Sequence, residues 1–499
     1  MVLASNQAAM MAQPQYEITD ADRKRQADIA YAWKAYEGEL EPPLDPMDDQ
    51  PDDNVVANYI EDKVEAAKDF LFGKEVEISV EDGVAEEVQA FIDETWGEKE
   101  SRIPLLQELY VNGALAGHTF LRIVPQPDGS FRLVAVDPYC VFVKTMPQDC
   151  RTVLLYCIEY CTQEMSNGKA VNVYYREEIA RIDPQQNDPD SSGVFTDKDT
   201  RWLIQHWTRE GDRGEWMPAG DPLSWPHPFP PLFHCPNMVK PNSFWGKPDV
   251  TKSLIKLNEA LNVTNSYTQK LGRVMTGTIL YASGTGLTEL DYTPGHVTIM
   301  PTPDGKIEAV QLQADFAGLQ NSSDRLQSRI DEQTGVPGIA TGRASAMPGG
   351  NMSGIAIELL FMSMIKRNDT KKCLYGKLIL DVTRALLILK GFSPDIKLTL
   401  NWQNPLPNDD SASFQAALLA KQIGVSDQTL LEERGYDPIE EMERNQTEDA
   451  QKLLNFSRGQ GMPPVAPPLA QGQPGGNEGA SGEQPGQQQR ESPFVGRNQ

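Results

Sequence analysis

The feature that most limits how this chain can fold is a pair of helix-forming segments with matching apolar seams, separated by a short insert that cannot be helical. Between residues 248 and 274, Val250, Leu254, Leu257, Leu261, Thr264, Thr268 and Leu271 recur in alternating steps of four and three, which places them on one narrow stripe of a helix. Pro248 and Asp249 suit a first helical turn, and a helix of this length would span roughly 40 Å at 1.5 Å per residue. A second segment, 313–334, repeats the spacing with Phe316, Leu319, Leu326 and Ile330, and with Ser323 between them. The insert, 275–312, carries the turn signals ASGTG, TPGH and PTPDGK between the short alternating runs VTIM and KIEAVQL, as a small β module does. Two helices joined this way lie side by side with the β module at their far end.

After the second helix comes GVPGIATGRASAMPGGNMSG, 335–354, too rich in glycine and proline for regular structure and therefore a loop. Ser353 is a fitting N-cap for a long helical stretch from Gly354 to Lys390. The middle of that stretch, KRNDTKK at 366–372, is wholly polar and predicts a kink or an exposed face. The strand-like IKLTLNW follows Pro394, and a Leu-, Glu- and Ala-rich helical region runs to about Phe456. The segment 457–499 is dominated by Gly, Gln, Pro, Ser and Glu and predicts disorder.

Upstream, residues 1–54 read as an acidic, exposed arm: one helical stretch, DADRKRQADIAYAWKAYEGEL, then the linker EPPLDPMDDQPDDN. From Val55 a helix is predicted through Val56, Tyr59, Ile60, Val64, Ala67, Phe70 and Leu71, stopped by Gly73, with the strand EVEISV next. Two further helices are expected over 84–120. FLRIV, FRLVAV, CVFVK, VLLYCIEY, AVNVYY and RWLIQHW then alternate as strands do. The proline- and aromatic-dense stretch 218–248 excludes a helix or central strand and predicts a domain boundary. At 499 residues the chain exceeds one small core, and the fold class is α+β.

Composition narrows function mainly by exclusion. The net charge of −26 opposes a protein that grips nucleic acid, since affinity for a duplex comes from cations on phosphates. The acidity is regional: residues 1–100 hold 26 acidic and 8 basic residues, whereas 247–390 hold 13 and 16. Six cysteines at 140, 150, 157, 161, 235 and 373 show no metal-ligand spacing, so neither disulfides nor zinc are expected. No phosphate loop, nucleophile elbow or H-E-x-x-H is present, and the five histidines are dispersed, so the chain is read as a non-enzyme without cofactors. The N-terminus is too polar for a signal peptide. The apolar runs 355–365 and 378–389 fall short of about 20 residues, and a soluble protein is expected.

The order of these elements resembles the phage portal protein family, and local sequence agrees. NYIEDKVEAAKDFLFGKEVEISV at 58–80 is similar to the family's early helix ending in LFGK before a strand. HPFPPLFHCPNMVKPNSFWGKPDVTKSLIKLNEALN, His227 to Asn262, is similar to its proline-rich approach to the first stem helix, and NMSGIAIELL at 351–360 to its SG-I-A helix start. The likeness spans roughly 55–455. It implies a mixed α/β wing at 55–247, stem helices at 248–274 and 313–334, a clip at 275–312, a tunnel loop at 335–354, a spine helix and wing strand at 355–407, and a crown at 408–456.

Further implications of the resemblance are a closed, dodecameric homo-oligomeric ring in the virion, at the portal vertex of a capsid, made in the host cytoplasm. Such a ring conducts double-stranded DNA in packaging and ejection without reading bases, docks terminase and later head-completion or adaptor proteins, and meets major capsid and scaffolding proteins as procapsid assembly nucleates. The residues implicated are Thr341, Arg343, Ser345, Met347 and Asn351 facing DNA; Val250, Leu254, Leu257, Leu261, Leu271, Phe316, Leu319, Leu326 and Ile330 in stem packing; and Tyr281, Asp291, His296, Asp304 and Lys306 in clip docking. Arg343 is the only charge in its loop and would recur as a ring of positive charge. From the residues alone, an ordinary helical hairpin and a simple linker account for the same patterns. The competing function is a capsid-associated structural or scaffold protein without a DNA conduit.

Overall fold

The computed structural model describes residues 13–45, 51–81, 86–97, 101–166, 169–182, 201–276, 279–283, 306–310, 315–343 and 354–406, together with Lys421, Ser426 and Thr429. The chain divides into two compact units, Met1–Asp409 and Asp410–Gln499. The expected crown and tail lie almost wholly outside the described residues, and every helix and strand named below belongs to the first unit.

Helix α1 (Asp20–Tyr36) opens on a capping box in which the Thr19 side chain accepts from the backbone of Asp22 and Asp22 accepts from the backbone of Thr19. Contrary to the expected exposed arm, α1 is part of the core. Ala32 and Ala35 are buried, and side chains this small let the helix approach its neighbours closely. Ahead of it, the backbone N–H groups of Gln15 and Tyr16 donate to the Glu178 carboxylate at 2.8 and 3.0 Å. Arg25 donates to the Pro138 and Val141 carbonyls and stacks 4.1 Å from the Trp245 ring.

Helix α2 (Tyr59–Phe72) follows and buries Ile60, Val64, Leu71 and Phe72. Strand β1 (Val76–Val80) and helices α3 (Glu86–Trp96) and α4 (Ile103–Ala116) come next, matching the two helices expected over 84–120. The alternating runs become β2 (His118–Pro125), β3 (Phe131–Val136), β4 (Val141–Thr145), β5 (Val153–Ser166), β6 (Lys169–Ile182) and β7 (Arg201–Glu210). The strands β4 to β7 pair successively in antiparallel fashion and continue to β8 (Met217–Pro218), with β9 (Leu223–Trp225) also pairing β7. One face of this sheet buries Tyr156, Ile158, Ile179, Trp202 and Ile204. Its other face carries Arg176, bonded to Glu159 and to the Tyr16 carbonyl.

No domain boundary falls at 218–248. The segment forms β10 (Leu232–Pro236), the edge of a three-stranded sheet ordered β10-β2-β3, where proline is tolerated because the outer N–H is not needed. Phe244 and Trp245 then pack on the core under the larger sheet. The chain next passes tightly across the end of α4. Gly117 takes a left-handed φ of 85°, and a Cβ there would lie 2.9 Å from the Gly246 carbonyl, while one on Gly246 would lie 2.1 Å from the Gly117 carbonyl. Asp249 and Val250 donate to the Ala114 carbonyl at 2.9 and 3.1 Å, so the approach to the next helix is anchored on α4.

That helix, α5 (Lys252–Thr276), starts four residues later than expected because Thr251 caps it, accepting from the backbone of Leu254. Beyond it, β11 (Ile279–Ser283) pairs antiparallel with β12 (Lys306–Val310), Ile279 opposite Val310. Helix α6 (Phe316–Thr334) returns, capped by Asp315 and closed by Gly335 at φ 70°. Helix α7 (Gly354–Lys390) is continuous through 366–372, and β13 (Leu398–Trp402) pairs with β1. The largest core joins α1 to α4, the start of α5 and the C-terminal half of α7 through residues such as Phe72, Leu109, Leu254, Tyr375 and Val382.

Candidate functional site: the helical hairpin and the base of its loop

Helices α5 and α6 run antiparallel, since Thr251 and Ser253 meet Gln333 while Asn265 meets Ser323, the latter at 2.9 Å. The apolar seam is divided along its length. Val250, Leu254, Leu261 and Ile330 are buried in the main core, and Leu257 and Leu326 pack partly buried against it. Toward the β module, Leu271 and Leu319 are half-buried, Phe316 is 37% exposed and Tyr267 is 54% exposed. The distal seam is therefore only partly covered by the described residues of the chain.

A second stripe on α5 is polar, and the apolar periodicity conceals it. Asn258, Asn262 and Ser266 are buried at steps of four and bond the extended backbone before α2. Asn258 donates to the Ala57 carbonyl, Asn262 accepts from Ala57 and Ser266 accepts from Val55. Two helical turns further on, Arg273 pairs with Asp53 at 2.6 Å. The linker before α2 is thus held along the helix by hydrogen bonds that satisfy its backbone.

Ionic contacts gather where α6 ends. Asp331 accepts from Lys63 of α2 at 2.7 Å through one carboxylate oxygen and from Arg343 at 2.5 Å through the other. Lys63 also donates to the Val336 carbonyl at 3.1 Å and reaches Thr341 Oγ1 at 3.4 Å. Burial pulls the Lys63 ammonium pKa below its ordinary value, against the opposing pull of Asp331. Arg343 donates to Gln327, which donates to the Tyr59 hydroxyl. From α7, Arg367 donates to the carbonyls of Gln333 and Thr334, occupying acceptors that a helix C-terminus leaves open.

Beside this cluster, Lys371 of α7 pairs with Asp249 and donates to the Tyr110 hydroxyl at 2.9 Å. Burial works to lower the Lys371 pKa, but Asp249 and Tyr110 outweigh it and the net shift is upward. These groups and Val64, Phe70 and Met364 line a cavity of about 40 Å³. The polar run in α7 is therefore not a kink, and it is divided between two faces: Lys366, Asp369 and Thr370 are exposed as expected, whereas the opposite side turns inward. Asn368 and Lys371 are buried, on the helical face shared with Met364, Tyr375 and Leu378.

Of the residues assigned to DNA, Thr341 lies in a short 3₁₀ turn, Gly338–Thr341, and donates to the Gly338 carbonyl. Arg343 is ion-paired to Asp331 rather than presented as a free charge. Ser345, Met347 and Asn351 lie outside the described residues, as do Ser353, the VTIM run and Asp291, His296 and Asp304 of the β module. Tyr281 and Lys306 fall on β11 and β12, Tyr281 opposite Glu308 and Lys306 opposite Ser283. Among the described residues no group of His, Cys, Asp and Glu could hold a metal ion, and no helix is long and apolar enough to cross a membrane.

A family model described as phage portal protein, SPP1 Gp6-like, matches residues 17–453, a span that begins before α1 and so includes most of the segment expected to be an arm. No curated protein matches the chain in sequence. A chain in a solved structure titled as the virion of a native gene transfer agent (GTA) particle is similar at 12% identity with a TM-score of 0.43, over 82% of this chain and 94% of that one. On the extent of the family match, the chain belongs to the phage portal proteins of the SPP1 Gp6-like family.

Proposed function

We propose that copies of this portal-family chain close into a ring at one vertex of the capsid and that the α5–α6 hairpins surround the channel through which double-stranded DNA is packaged and ejected. The observation that carries this reading is the divided seam. A hairpin whose proximal seam is buried in its own subunit and whose distal seam holds Leu271, Phe316 and Leu319 half-covered or exposed gains from a neighbour on that side, and symmetric closure supplies the same neighbour to every copy.

The weak charge balance over 247–390 suits passage of a duplex, because each phosphate contact adds to affinity and so to the barrier against sliding. The β11–β12 module sits at the end of the hairpin remote from the main core and is the docking element for terminase and then for head-completion proteins. Nucleation of the procapsid with scaffolding and major capsid proteins follows from the same position. The loop after α6 borders the duplex through its backbone and small side chains, as contacts without base readout do.

Light scattering of purified protein should give a mass many times the 55.4 kDa of one chain, and negative-stain images should show rings with a central hole. A stable monomer refutes the reading, and closed particles without a hole favour a scaffold role instead. Replacing residues 275–312 by a short Gly-Ser linker should abolish terminase binding while the wing still folds. Arg343→Gln keeps a hydrogen-bonding group beside Asp331 and should lower the DNA retained without changing ring mass. Normal DNA content would remove Arg343 from the channel.

A further inference from the structure

We propose that Asp331 is the positioning residue of the loop base: one carboxylate clamps two cations, Lys63 from the wing helix α2 and Arg343 from the chain after α6. The clamp fixes the turn 336–343 in place. Its functional meaning rests on reading the loop as channel-lining, but its geometry stands by itself.

Within itself the turn is closed by hydrogen bonds from Ala340 to the Pro337 carbonyl, from Gly342 to the Ile339 carbonyl and from Thr341 to the Gly338 carbonyl, and the clamp ties this closed unit to α2 and α6. Val336 and Gly338 are buried, and the backbone doubles back so that Arg343 N–H donates to the Gly338 carbonyl at 3.0 Å. This brings the guanidinium against Gly338, where an added Cβ would lie 2.6 Å from Arg343 Nε. The reversal is made at Gly342, whose left-handed φ of 78° closes the turn, and it brings Arg343 to Asp331 at 2.5 Å. The other side of the same carboxylate holds Lys63, whose ammonium grips the turn directly through the Val336 carbonyl.

The stoichiometry is unequal, and that makes the contributions unequal. Removing Lys63 leaves Asp331 paired with Arg343, and removing Arg343 leaves it paired with Lys63. Removing the carboxylate leaves two cations facing each other, one of them with a side chain only 3% exposed. Without a counter-charge the buried ammonium must either lose its proton or move to water, and in moving it releases Val336. The wing helix, the stem helix and the start of the loop are thus coupled through one side chain, and α7 backs it by capping α6 with Arg367.

Amide hydrogen exchange on the assembled full-length protein, without DNA, tests the clamp. Asp331→Asn should speed exchange of amides 336–343 by tenfold or more, on the order expected when a partly buried ion pair loses its anion. Lys63→Gln and Arg343→Gln should each give less than about threefold, since one pair survives. Gly338→Ala changes no charge but pushes Arg343 away and, like Arg343→Gln, should give less than about threefold. Amides of β5 and β6 serve as the control that Asp331→Asn still folds; if it does not, the double variant Lys63→Gln with Arg343→Gln, which leaves Asp331 neither of its two cations, carries the test and should exceed both single variants.

Equal effects of the three charge variants, or no effect of Asp331→Asn, overturn the proposal. DNA retention measured on the same variants bears separately on the channel. Faster exchange with unchanged DNA retention keeps the clamp and rejects the channel reading of the loop.

Discussion

Lys371→Met should loosen the junction at which the hairpin joins the main core. In the native chain the Lys371 ammonium, on a side chain 4% exposed, is paired with Asp249, 21% exposed, and donates to the Tyr110 hydroxyl at 2.9 Å while lying 4.1 Å from that ring. Methionine preserves most of the volume, so little of the cost comes from a cavity. What remains is a carboxylate without its partner, about 3 kcal/mol at the low end of the cost of breaking a buried pair, because Asp249 keeps some contact with water. The lost hydrogen bond to Tyr110 adds about 1 kcal/mol. Native-state hydrogen exchange reads this locally and does not require the assembly to unfold in two states. Amides of Ile255 to Leu261 should exchange at least about a hundredfold faster, at about 1.4 kcal/mol per tenfold, while β5 and β6 change little. Adding Asp249→Asn should recover about 2 kcal/mol, since the stranded charge is then gone. A rise below tenfold in α5, or an equal rise in the large sheet, would refute the idea that this pair anchors the hairpin.

Acid should weaken the three-stranded sheet, where His118 lies on β2 and His234 on β10, before it weakens the hairpin. Burial lowers the His234 pKa to about 3 and, with His234 and Arg25 nearby, puts His118 well below its ordinary value. Both rings are neutral in the fold, so their contribution is complete above pH 6.5 and is lost as pH falls below it, for His234 between 6.5 and about 3. At pH 5 His234 costs about 2 kcal/mol, and His234→Phe should flatten the acid limb of a pH–stability curve by that amount; an unchanged limb contradicts the assignment. Leu254→Ala should cost about 3 kcal/mol in denaturant titrations. Leu271→Ser and Phe316→Ser should stay within about 1 kcal/mol yet reduce the mass seen by light scattering, and equal behaviour of proximal and distal substitutions would remove the basis for the divided seam.

Much of the architecture is legible in the sequence because strand alternation and helix seams record burial directly. The runs from FLRIV to RWLIQHW form β2 to β7, and the seam of α5 ends in the core where the spacing places it. Periodicity states which face is buried but not what lies opposite, and the differences arise there. The N-terminal arm reads as exposed because α1 is polar overall, whereas Ala32 and Ala35 are small enough to bury at little cost and Glu178, from a distant strand, supplies the bonds that hold Gln15 and Tyr16. The proline-dense stretch reads as a boundary because proline breaks ladders, but an edge strand needs hydrogen bonds on one side only.

The run KRNDTKK shows the same limit within a single helix. A polar stretch in an apolar helix is expected to face water, and Lys366, Asp369 and Thr370 do, but Asn368 and Lys371 follow Met364 and precede Tyr375 and Leu378 at helical steps, on the buried face. That phase is readable, and a lysine in such phase requires a buried partner. The identity of that partner is not readable, since Asp249 is 122 residues away and reads as a helix-start charge. Arg343 shows the limit from the other side: its isolation within a glycine-rich loop suggests a free cation, while its counter-ion, Asp331, sits 12 residues earlier on α6. At both positions the charge itself is visible in the sequence, and its neutralisation depends on the fold bringing in a carboxylate that spacing alone does not select.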